Sequence, residues 1–305
     1  MIYAIDKPLG LSSHGAVVQI RRTLGQRQVG HAGTLDPLAT GLLLVCSGPW
    51  TRAVPYLVGH SKEYLAWICL GGSTVTLDAE GPLLSAKAVP SPTREQAAAA
   101  LQGQLGWQLQ TPPAYSAVKS GGQTAHRAAR SGKELELAPR RVEVLAAELV
   151  GLYSDLGAAE RELPKELASQ PRLPPALGRF PTLLVRYQVS SGTYVRVLAA
   201  DLAARLGTTA HLGGLVRLRS GQVGLEQAQL LEDFHPERAL SPAAALGMDT
   251  LQLSAAQAES LRRGLQVAAS RSGVFLAYGP EGLIGIVQGD GYQLRPLRNW
   301  PISSE

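Results

Sequence analysis

The chain has 305 residues, 45% hydrophobic and 17% charged, which is enough to bury a sizeable core and too apolar for a disordered chain. Its net charge of +5 favours an anionic partner, and 23 of its 29 basic residues are Arg, the side chain suited to bidentate phosphate contacts. No apolar run approaches the ~20 residues of a membrane span, and Cys46 and Cys69 lack the spacing of a zinc site or disulfide framework.

In chain order, IYAIDKPLGL (2–11) reads as a short strand and a turn. Asp6 and Lys7 come too early for a secretory signal, so a reducing, cytoplasmic setting is expected. Ser12 or Ser13 caps a helix with Val17, Ile20 and Leu24 on one face, stopped by Gly25. Asp36-Pro37 has the pattern of a helix start, with Asp as N-cap and Pro at the first position. YLAWICL (64–70), VEVLAAELV (142–150) and LLVRYQV (183–189) read as strands. Thr93 to Gln96 makes a capping box before an Ala-rich helix ending near Leu105. A further helix spans 195–206, with Leu198, Leu202 and Leu206 inward and Gly207 at its end.

The Pro-rich stretch 154–181 lacks periodicity and reads as an inserted loop between two strands. A boundary falls within HPERALSPAAALGMD (235–249). Beyond it, Ser254 to Gln257 caps another helix that Gly264 closes, and VFLAY, LIGIV and YQLRPL form three strands joined by GPEG and GDG. Two domains are expected, 1–245 and 246–305, the second small and β-rich.

No G-x-x-x-x-G-K-S/T, G-x-G-x-x-G or H-E-x-x-H is present, so nucleotide hydrolysis, dinucleotide redox chemistry and zinc proteolysis lack sequence support. The informative stretch is GHAGTLDPLATGLLLV (30–45), where Asp36 sits in a loop of small residues, five positions after His31. An isolated Asp-Pro is usually just a helix cap. Here the whole stretch resembles the signature of the pseudouridine synthases that act on the T-arm of tRNA, and four further segments resemble the same family in the same order. They are DKPLGLSS (6–13), Lys62-Glu63-Tyr64, PPAYSAVKSGGQTAHRAARSG (112–132) and SSGTYVRVLAADLAARLG followed by AHLGGLVRLRSG (190–221).

The resemblance implies an α+β catalytic domain with a mixed, largely antiparallel sheet, followed by a small C-terminal β-rich PUA-like domain. It implies isomerisation of uridine to pseudouridine in the T-loop, at tRNA position 55, with the base flipped out of its stack. In this reading Asp36 is the nucleophile, since an Asp is ionised at neutral pH and attacks without a general base. Attack on the base, attack on the ribose and a glycal route all remain open. Arg196 is the cation that holds the carboxylate, against its ordinary role as an exposed first-turn Arg. Tyr64 and Tyr194 would otherwise be sheet or core aromatics; the family places Tyr64 under the target base, where it is also a candidate for proton transfer, and Tyr194 beside it. Leu215, alone a core Leu, aligns with a substrate contact. His31, alone a satisfied loop His, is placed against the RNA with no acid–base role.

By the same resemblance, DKPLGLSS braces the catalytic loop, and 112–141 is an RNA-gripping insertion. Between Lys119 and Arg141 stand Lys119, Arg127, Arg130, Lys133, Arg140 and Arg141 against Glu134 and Glu136. Such a run is usually a solvated face; with Tyr115 and a Gly pair it suits phosphate binding, with Lys119, Arg127, Arg130, Arg140 and Arg141 as backbone contacts. One departure stands out: where the family often has T-D-T, this chain has Thr74-Val75-Thr76, leaving Asp78 or nothing to substitute. The expected partner is the tRNA T-stem-loop, bound by a monomer without cofactor, metal, membrane or protein partner. Two alternatives remain: the catalytic subunit of an RNA-guided pseudouridylation complex, which shares the Asp loop but not the PLATG form and the grip-like 112–132 segment, and a non-enzymatic tRNA-folding chaperone, against which Asp36 with Arg196 counts.

Overall fold

The computed structural model describes residues 1–120, 122–133, 135–161 and 180–300. Its main element is a ten-stranded mixed sheet. The strands named here are β1 (Ile2–Lys7), β2 (Val29–Ala32), β3 (Ala39–Ser47), β4 (Lys62–Leu70), β5 (Gly106–Gln110), β6 (Arg140–Tyr153), β7 (Thr182–Val189), β8 (Ala210–Ser220) and β9 (Gln229–Leu230). They run in the order β9-β1-β3-β8-β4-β7-β6-β5, with β2 paired to β3 and Val223–Gly224 paired to β8. Only β9–β1 and β8–β3 are parallel. The sheet is therefore mixed and largely antiparallel, as expected.

Alternation along the central strands explains why their sequences look continuously apolar. Side chains of a strand alternate between faces, so a strand covered on both sides has no polar positions to spare. Leu43 and Val45 enter one core with helix α1 (Ser13–Leu24). Leu42, Leu44 and Cys46 enter a second, with Ile2 and Ala4. Ala66 and Ile68 of β4 share the first core, while Leu65 and Trp67 face a third. The all-buried β3 overturns the helix start at Asp36-Pro37: the chain makes one turn, closed by Ala39 N–H to Asp36 O at 3.0 Å, and enters a strand. Pairing with β1 on one side and β8 on the other outweighs the local capping pattern.

Further helices pack on these cores. Helix α2 (Arg94–Gln102) starts at the Thr93 capping box and ends at Gln102, earlier than expected near Leu105. Helix α3 (Val195–Arg205) packs on β8 through Leu198, Leu202 and Ala203. The expected loop 154–181 opens with a short helix, Leu156–Arg161, whose Leu156 and Ala159 enter the third core; residues 162–179 lie outside the described residues.

The C-terminal sheet has five strands rather than three. In addition to β12 (Ser272–Gly279), β13 (Gly282–Asp290) and β14 (Gln293–Asn299), it holds β10 (Asp249–Gln252) and β11 (Val267–Ala268), in the order β10-β12-β13-β14-β11. Helix α4 (Ala255–Arg262) begins at the Ser254 capping box and packs on this sheet through Ala258 and Leu261. Leu276, Ile286 and Trp300 enter the second core beside Ile2 and Leu42, so this module backs onto the β1–β3 side of the main sheet.

Candidate active site

The loop that carries Asp36 is braced from below. Ser13 hydroxyl donates to Leu35 O at 2.9 Å and accepts Leu35 N–H at 2.8 Å, and Gly10 N–H reaches Pro37 O at 2.8 Å. Lys7 is buried and donates to Pro8 O and Leu11 O. The DKPLGLSS segment is thus the expected brace. Gly41, at φ +91, brings the start of β3 onto β8 so closely that a Cβ would lie 2.5 Å from Arg217 O.

Arg196 opens helix α3, yet only 5% of its side chain is exposed. Its Nη2 is 3.0 Å from Asp36 Oδ2 and donates to Tyr115 O at 2.9 Å. Its Nη1 is 3.4 Å from Asp78 Oδ2 and donates to Thr76 O at 2.8 Å. A buried Arg persists when charges and hydrogen bonds surround it. Asp78, three residues after Val75, is the second carboxylate against Arg196. Its carboxylate accepts from the Thr76 hydroxyl and from Glu80 N–H, and its neighbour Leu77 is the single non-Gly residue at positive φ (+62) among those described. Backbone strain of that kind is held by its surroundings; here Leu212 N–H bonds Leu77 O, and Ala79 N–H bonds Leu212 O.

Asp36 keeps 37% of its side-chain exposure, facing a cleft of about 550 Å³. Loss of hydration pushes its carboxyl above the ordinary 3.8, Arg196 pulls it back, and Asp78 adds to the rise. Tyr64, Tyr194, His31, Leu215 and Arg140 line the same cleft, so every expected catalytic and base-contacting residue converges there. Tyr194 is pinned by Gln110, whose amide accepts Tyr194 N–H at 2.7 Å and donates to Tyr194 O at 3.1 Å. Burial, and then the nearby Arg217, push the His31 imidazole below its ordinary value.

Comparison with known proteins gives the family. The model of the TruB family pseudouridylate synthase N-terminal domain matches residues 21–165. The tRNA pseudouridine synthase B of Deinococcus radiodurans is 43% identical, over 98% of this chain and 99% of its own length. That of Thermus thermophilus is 44% identical over 97% of each. The chain belongs to the tRNA pseudouridine synthase B family. Two solved structures share its fold: an H/ACA RNP bound to a substrate RNA containing 2'-deoxyuridine, with TM-score 0.66 and 18% identity over 98% of this chain and 84% of that one, and a Cbf5-Nop10-Gar1 complex, with TM-score 0.64 and 23% identity over 94% and 78%.

Against this family frame, the basic insertion divides. A hairpin (Lys119–Ser120 with Gln123–Thr124) leads into a helix, Ala125–Arg130. Arg140 lines the cleft and Arg127 is exposed outside it, while Arg141 lies with its guanidinium 4.2 Å over the ring of Trp107. The side chains of Lys119 and Arg130 lie outside what is described. Sequence reasoning missed Lys62, Arg217 and Gln110. The first two line the cleft, and only their position on the central strands β4 and β8 reveals it. Among the described residues, no three His, Cys, Asp or Glu side chains are grouped to hold a metal ion.

Proposed function

We propose that this chain isomerises a uridine in the T-loop of tRNA to pseudouridine, with Asp36 as nucleophile. The observation that carries the reading is the Asp36–Arg196 pair, a carboxylate with a buried guanidinium 3.0 Å away, open to a cleft that Tyr64 and Tyr194 also line.

The reaction breaks the N-glycosidic bond, turns the uracil and rejoins it to the ribose through C5, with no net gain or loss of atoms or electrons. It needs a nucleophile that is charged at neutral pH, a flat surface for the extruded base and a cleft that fixes both. Arg196 counters the desolvation that raises the Asp36 carboxyl. Tyr64, buried in β4, and Tyr194, at the start of α3, supply aromatic surface for the uracil, a contact worth ~1–3 kcal/mol per base. Tyr64 is also the candidate for proton transfer, and His31 and Leu215 complete the seat. Lys119, Arg127, Arg130, Arg140 and Arg141 belong to the proposed backbone grip. Residues 1–245 form the proposed catalytic domain, and 246–305 a PUA-like RNA-binding domain.

The test is to incubate the purified protein alone with an unmodified tRNA transcript and map pseudouridine. Product at the T-loop uridine without guide RNA is expected. A product that appears only with a guide RNA would assign the chain to an RNA-guided particle, and binding without product would leave a folding chaperone.

A further inference from the structure

Two more cations line the cleft, and neither has a role in the account above. Lys62 is 6% exposed and Arg217 is 1% exposed. Lys62 Nζ donates to Val58 O at 2.5 Å and His60 O at 2.6 Å. Arg217 Nε donates to Leu42 O at 2.6 Å and its Nη2 to Gly33 O at 3.1 Å. All four partners are neutral carbonyls. Among the described residues, no carboxylate stands within 4.0 Å of either cation, in contrast with Arg196.

The two side chains converge on Gly33. This residue, at φ +98, lies three positions before Asp36, and a Cβ on it would sit 3.4 Å from Arg217 Nη1 and 3.9 Å from Lys62 Cε. Lys62 and Tyr64, two residues apart on β4, share a strand face. Two buried like charges without an anion are expensive for a fold. Burial and Arg217 push the Lys62 ammonium down to about 8, the direction an unfilled anion site produces. Carbonyl bonds orient both groups but leave their charge unmatched, and Arg217 Nη1 has no hydrogen-bond acceptor among the described residues.

We infer that Lys62 and Arg217 form a built seat for one phosphodiester of the substrate RNA, a linkage flanking the extruded nucleotide. This rests on the proposed RNA-modifying function and adds a recognition element to it. A nucleotide turned out of its stack carries its flanking phosphates inward with it. The seat gives the inward phosphate a matched charge beside the Asp36 loop, and so ties backbone position to base position.

The test couples a protein change to an RNA change. Binding of synthetic T-stem-loops is measured for the wild type, Lys62→Met and Lys62→Gln, using all-phosphate RNA and RNAs with one neutral methylphosphonate at either linkage flanking the target uridine. Gln keeps an amide donor for the carbonyls of Val58 and His60 but not the charge. Both variants are expected to bind all-phosphate RNA about tenfold more weakly. Their salt dependence should fall by about 0.7–0.9 in log–log slope. At one linkage the neutral RNA should cost the wild type a similar factor and cost the variants nothing more. Wild-type affinity in Lys62→Gln, or independent losses at both linkages, would overturn the seat. Conversion of the unmodified stem-loop by the wild type is scored separately. Coupling without conversion would support the seat and overturn the enzymatic reading instead.

Discussion

Arg196 and Arg217 are both buried in the wall of one cleft, and their surroundings differ in kind. Arg196 meets two carboxylates, Asp36 and Asp78, and two carbonyls. Arg217 hydrogen-bonds carbonyls alone, with the cations Lys62 and Lys7 as neighbouring charges. The first arrangement is complete before substrate arrives, because its purpose is to hold an acidic side chain in place. The second is complete only when an anion enters. A buried cation's existing partners thus distinguish an internal positioning role from a recognition role.

The largest expected effect comes from removing the carboxylate that Arg196 positions. Asp36→Asn should lower single-turnover pseudouridine formation by about 10⁴-fold or more while RNA binding persists. Retained turnover would break the comparison at its root. Asp36→Asn should also melt no lower than the wild type at neutral pH. The sign follows from its raised carboxyl: a protonated Asp36 favours the folded chain, and that contribution fades as pH rises through the raised value.

Next in size is Arg196→Met, which strands Asp78 in the interior. Breaking a buried pair on one side costs about 3–5 kcal/mol, read by denaturant unfolding. A loss below about 1 kcal/mol would mean the pair is screened like a surface bridge. Activity should fall with it, and its acid limb should move to higher pH, since Arg196 is what pulls the Asp36 carboxyl down.

A subtler change reads the same network through pH. Single-turnover rate should fall as pH drops through a value above 3.8, where Asp36 gains its proton. Asp78 adds to that rise, so Asp78→Asn should shift the acid limb to lower pH, opposite to Arg196→Met. An unmoved limb would separate Asp78 from the nucleophile. The smallest expected effect is Gly33→Ala. A residue forced to φ +98 beside Arg217 should cost about 1 kcal/mol of stability, measured by thermal melting.

Local chemistry made much of this molecule legible. The helix caps at Ser12, Thr93 and Ser254 depend on side chains within three residues, and each falls where the spacing places it. The site residues Asp36, Arg196, Tyr64, Tyr194, His31 and Leu215 were accessible through motif resemblance, and the fold brings them to one cleft. Asp36-Pro37 misled because the capping pattern is local, whereas β3 is fixed by partners far along the chain, β1 and β8. Strand β8 was hidden in AHLGGLVRLRSG, whose paired glycines and two arginines obscure a two-residue alternation. Arg217 and Lys62 look like surface charges in sequence. Only the central position of their strands turns them into buried cations.

The most direct measurement is single-turnover mapping of pseudouridine in an unmodified tRNA transcript, with wild type and Asp36→Asn at equal, saturating RNA occupancy and no guide RNA. Product is expected at the T-loop uridine with the wild type and none with Asp36→Asn. Product at a comparable rate from Asp36→Asn would contradict Asp36 as the nucleophile.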